Sequence, residues 1–208
     1  MPFSLEQFLN IFKDYNQTVF PLQLFFNILA LTSIVVLIKN FNYKNKIING
    51  TLAFLWLWIG IVYHLIFFTA INKAAYFFAL IFIIQSIIFL YIGFFKNIFI
   101  YEYRKDWIGT IGILFIIYAL LIYPILGYIF GHKYPYQPTF GLPCPTTIFT
   151  FGILLFAKKQ IKWYFILLPL IWALIGSTAA LKLNIYEDVG LLISGILGFF
   201  FVLKNSKA

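Results

Sequence analysis

The chain has 208 residues, 63% of them hydrophobic and only 10% charged, which excludes an ordinary soluble domain and indicates a polytopic helical membrane protein. Its formal charge of +9 would suggest nucleic acid in a soluble protein, but the basic residues sit at the ends of apolar runs, where membrane topology accounts for them. The single cysteine, Cys144, excludes an internal disulfide and any CxxC-type site.

Residues 1–17 are polar, with Leu5, Phe8, Leu9 and Phe12 on one helical face and Ser4 with Gln7 in the form of a capping box. This predicts a short amphipathic helix lying on the membrane surface as an anchor. The segment lacks a basic n-region and a small-residue cleavage site, so a removable signal peptide is not expected. The rest, 18–208, reads as one membrane domain. Seven apolar segments follow near 20–38, 51–71, 75–95, 107–130, 145–157, 163–181 and 188–203. Crossing the hydrocarbon core takes ~20 helical residues, and the fifth segment is clearly short of that.

Eleven basic residues gather on one side: Lys39, Lys44, Lys46, Lys96, Arg104, Lys105, Lys158, Lys159, Lys162, Lys204 and Lys207. Lys13, Lys73, Lys133 and Lys182 fall on the other. This bias alternates correctly only with seven spans, an outside N-terminus and a cytoplasmic C-terminus. The expected location is the inner (plasma) membrane of a bacterium.

The stretch from Gly131 to Thr147, GHKYPYQPTFGLPCPTT, is the longest without helical character. Prolines remove backbone donors, and lipid cannot satisfy the remaining polar backbone, so this stretch must sit in water or be enclosed by protein. The expectation is that Pro138 to Cys144 dips below the outer surface. Pro145 then opens the fifth helix with Cys144 near its N-cap, leaving a half-buried, electropositive helix start. Gly190, Ser194 and Gly198 form a small-residue stripe on the last span, read as a close packing face.

Polar residues inside spans are costly and therefore informative. Gln23 and Asn27 share a face of the first span. Tyr63 and His64 lie below the outer end of the second, and Thr146 and Thr147 sit in the first turn of the fifth. Glu187 and Asp188 open the seventh. Together they predict one outward-facing site. His64, His132, Cys144 and Asp188 are also the right residue types for zinc or copper, though their spacing matches no metal signature.

The run PTFGLPCPTTIFTFG (Pro138 to Gly152), with WLWIGIVYHLIFFTAIN (Trp56 to Asn72), YPILGYIFGHKYP (Tyr123 to Pro135) and YEDVGLL (Tyr186 to Leu192), resembles an uncharacterised family of bacterial integral membrane proteins. The resemblance spans most of the chain. It implies a membrane fold and carries no activity with it. A retinal protein is excluded, because the last span has no lysine within it; Lys204 is already at its end. Zinc hydrolases of the ceramidase and adiponectin-receptor type use three histidines, and this chain has only His64 and His132.

The leading expectation is a small transporter of permease type, not an enzyme. Its substrate, a small ion or molecule, would lie among Gln23, Asn27, Tyr63, His64, Cys144, Thr146 and Thr147. An anion would meet the fifth-helix N-terminus, or a soft metal a Cys144 thiolate. Two alternatives are an intramembrane zinc hydrolase, with Glu187 as general base, and a non-catalytic sensor or assembly subunit. The bilayer is the expected partner, nucleic acid is not, and an oligomer is compatible with the pattern.

Overall fold

The computed structural model describes residues 2–158 and 161–205; Lys159 and Lys207, part of the charge pattern above, lie outside the described residues. Among the described residues the fold is all-α. It has eight helices: α1 (Leu5–Val19), α2 (Leu22–Lys39), α3 (Lys44–Ala70), α4 (Ala75–Phe95), α5 (Trp107–Ile129), α6 (Pro143–Leu154), α7 (Leu167–Leu183) and α8 (Val189–Asn205). Four of them, α2 to α5, are long and apolar enough to cross a membrane, whereas α6 and α7 are apolar but shorter.

α1 begins where the sequence says it should. The Gln7 N–H donates to Ser4 Oγ at 3.2 Å, and the Ser4 N–H donates back to Gln7 Oε1 at 2.9 Å. Its apolar face packs on the bundle. Phe8, Phe12 and Tyr15 are buried against the end of α3, with ring centroids 5.9 Å from Phe68, 6.3 Å from Tyr63 and 5.5 Å from Phe67 respectively.

α6 explains the architecture. Its twelve residues span about 18 Å, too short for a hydrocarbon core of ~30 Å. Every residue of α6 except Cys144 is buried, so it is the central rod of the bundle and needs no lipid-matching length. Its close neighbours admit it through small residues. A Cβ added to Gly152 would fall 2.9 Å from the Gly112 carbonyl oxygen, and one on Gly112 would fall 3.0 Å from that of Gly152. On α8, Gly190 accommodates Tyr118 and Gly198 accommodates Phe151, so the small-residue stripe is a packing face. Trp56 Nε1–H donates to Thr150 Oγ1 at 3.0 Å, tying α3 to the middle of α6.

Chain inserted at both ends of α6 completes its burial. At the far end Phe99 and Tyr101 are fully buried, and Tyr101 Oη–H donates to Asn49 Oδ1 at 2.9 Å. There the Glu102 N–H donates to the Phe156 carbonyl and the Lys158 N–H to the Ile100 carbonyl, each at 2.8 Å. At the near end Pro138 and Phe140 to Pro143 are buried, the enclosure that a proline-rich segment requires.

A candidate ligand site at the Cys144 end

α6 starts at Pro143, two residues earlier than expected, with Leu142 as N-cap, so Cys144 is inside the first turn and not at the cap. This changes the chemistry of the helix start. Pro143 and Pro145 carry no N–H, the Leu142 N–H donates to the Thr139 carbonyl, and the Thr146 N–H donates to that of Leu142. Only the Cys144 N–H is left of the usual set of free donors. The neighbouring charges are carboxylates. An anion at this helix start therefore meets one free N–H and two neighbouring carboxyl groups, Asp188 and Glu187.

Cys144 lies beside Asp188 and Tyr123, and Tyr123 Oη–H donates to Asp188 Oδ1 at 2.5 Å. Glu187 turns the other way, with Oε1 2.9 Å from His132 Nδ1, while its carbonyl accepts from Tyr118 Oη–H at 2.9 Å. The two tyrosines converge because α5 widens into a π-type turn over Tyr118–Ile122, which ends two residues before Pro124. Pro124 lacks the N–H that a regular turn would use, and the wider turn accommodates the loss. At about 100° per residue, a regular helix would hold Tyr118 and Tyr123 roughly 140° apart. Neither tyrosine was among the residues expected from the sequence; Pro124 within a long apolar helix was the signal for them.

A cavity of about 170 Å³ runs from exposed Pro2 down to buried Asp188. Its walls are aromatic: Phe3, Phe8 and Phe12 from the α1 region, Tyr63 and Phe68 from α3, Phe78 from α4 and Trp172 from α7. Cys144 and Asp188 also line it. Of the expected substrate residues, the structure brings Tyr63 and Cys144 to this cavity and leaves the others away from it.

Gln23 and Asn27 are engaged in hydrogen bonds elsewhere. Gln23 Nε2–H donates to the Asn16 carbonyl at 2.9 Å, and Asn27 Nδ2–H donates to the Gln23 carbonyl at 2.8 Å. Asn16 in turn holds the inserted loop, donating through Nδ2 to the carbonyls of Pro135 at 2.7 Å and Gln137 at 2.8 Å. Thr146 and Thr147 are fully buried in α6 and do not line the cavity. His64 is fully buried in an aromatic cage, with centroids 4.9 Å from Phe82, 5.1 Å from Trp172 and 5.1 Å from Tyr63; neither ring nitrogen has a hydrogen-bond partner among the described residues.

That cage also separates the expected metal ligands. His132 is engaged by Glu187, and Cys144 and Asp188 meet on the cavity floor. Among the described residues no three His, Cys, Asp or Glu side chains gather as a metal ion requires. His64, His132, Cys144 and Asp188 are thus not gathered as one zinc or copper set among the described residues.

The described residues form an all-α chain with a buried central helix and four helices long and apolar enough to cross a membrane, which suggests a multi-pass membrane protein. The chain belongs to a family of unknown function (DUF6064), whose model matches residues 5–208. No curated protein and no solved structure matches it.

Proposed function

We propose that the protein is a seven-span membrane permease for a small solute, with the Cys144 end outside and the solute bound in the aromatic cavity. The supporting observation is the cavity itself. It is the size that accepts a molecule of about six heavy atoms, judged against apolar cavities of ~150 Å³ that bind benzene. It also reaches from the bundle surface to the polar groups Cys144 and Asp188 at the start of the central helix. The seven spans and orientation are supported by the basic-residue asymmetry and by the enclosure of α6, which frees that helix from needing membrane length.

Two experiments test this. With Cys144 replaced by alanine, Lys133→Cys should react with an impermeant maleimide on intact cells, and Lys158→Cys only after permeabilisation; the reverse pattern overturns the orientation. Solutes that raise the thermal stability of the purified protein should then cross proteoliposome membranes in a protein-dependent way. Thr178→Trp, which fills the cavity, should block that flux. Solutes that bind without crossing would overturn transport.

A further inference from the structure

The cavity has an aromatic wall on several sides and one acidic side chain. Among the residues lining it, Asp188 is the only carboxyl group, and no lysine, arginine or histidine lines it. Asp188 is almost completely buried, yet no cationic side chain lies within ion-pair distance of it among the described residues; the nearest candidate, His132, is paired with Glu187. Buried charges are normally paired, and a carboxylate without a cation is costly to keep. Seven aromatic side chains line the same space, and the face of an aromatic ring attracts a cation. The floor and the walls therefore favour the same sign.

We propose that the cavity binds a small organic ammonium ion, its charged nitrogen against the Asp188 carboxylate and its alkyl groups against Tyr63, Phe68, Phe78 and Trp172. The reading rests on the cavity being a ligand site, as in the proposed function, but not on transport. An anion would face Asp188 across an apolar space with a single helix N–H to receive it, and an inorganic metal ion would find Cys144 and Asp188 but no third His, Cys, Asp or Glu among the described residues. A bulky, weakly hydrated ammonium loses least water on entering such walls. The same chemistry is found in free amines and in the headgroups of phosphatidylcholine and phosphatidylethanolamine.

The test is direct binding to the full chain in nanodiscs of phosphatidylglycerol, with choline as the probe. Its neutral carbon isostere, with tert-butyl in place of trimethylammonium, and the matching tert-butyl carboxylate are the controls. Choline should bind about tenfold or more tightly than the neutral isostere, and the carboxylate should not bind measurably. Asp188→Asn should remove most of that preference, and Trp172→Leu should weaken choline severalfold while sparing the isostere. Equal binding of cation and isostere by the unaltered protein overturns the proposal, whether or not the variants fold. Choline binding that weakens when phosphatidylethanolamine is added to the discs identifies a lipid headgroup as the occupant, and unchanged binding identifies a free amine; both uphold the ammonium site. Ammonium binding without flux would leave this inference standing and defeat the permease. Flux of an anion through the cavity would do the opposite.

Discussion

Gly141→Ala is the sharpest test of how the inserted segment is held. Gly141 has φ +99°, a conformation that costs an L-residue about 1–2 kcal/mol. Its added Cβ would lie 2.2 Å from Phe26 Cδ2 and 2.8 Å from Cε2, well inside the ~3.5 Å of ordinary carbon contact. The Phe26 ring is fully buried, with Trp58 at 5.2 Å and Phe54 at 6.2 Å between centroids, so it has little room to swing away. Such overpacking adds about 1–3 kcal/mol, for a total loss of about 2–5 kcal/mol. The assay is reversible unfolding in mixed micelles, run as a double-mutant cycle with Phe26→Ala. Phe26→Ala alone should cost about 3–5 kcal/mol through lost packing. In that background Gly141→Ala should cost only its backbone share, about 1–2 kcal/mol. Equal costs in both backgrounds, or a cost below ~0.5 kcal/mol alone, would refute the claim that close approach to α2 demands glycine here.

Two further outcomes are expected. Asn16→Ala removes the two donors to Pro135 and Gln137 and the acceptor used by Thr139 Oγ1 at 2.8 Å, so it should destabilise by about 1–3 kcal/mol. Amide exchange should quicken within residues 134–140, and unchanged exchange there would show that the loop is held by something else. At the opposite end of the bundle, Lys158 Nζ lies 2.6 Å from Glu102 Oε2, and this hydrogen bond and charge hold the Glu102 carboxyl below its ordinary value. The stabilisation is present above the unfolded-state pKa of glutamate and is lost as pH falls through the lowered folded one. Unfolding curves of the wild type and Glu102→Gln should therefore differ slightly at neutral pH and converge in acid; both groups are exposed, so a large difference at pH 7 would contradict the structure.

The sequence alone determined what depends on neighbours along the chain. Apolar runs of membrane length gave α2 to α5, Ser4 and Gln7 gave the start of α1, and the prolines around Cys144 marked a non-helical stretch that had to sit in water or be enclosed by protein, ahead of a short helix. Hydropathy, capping and missing N–H groups act over a turn or two, so they can be read without a fold. It also singled out Tyr63, Cys144 and Asp188, which do share the cavity. Only the tertiary structure decided which polar residues face which. His64 sits one position from Tyr63 yet points into a closed aromatic cage. Gln23 and Asn16 hold a loop instead of a solute, and α1 turns its phenylalanines over the cavity as a roof. Tyr118 and Tyr123 reach Glu187 and Asp188 only through a widened turn and a contact 65 or more residues away in the chain. Such convergence is set by packing between distant helices, and no local pattern encodes it.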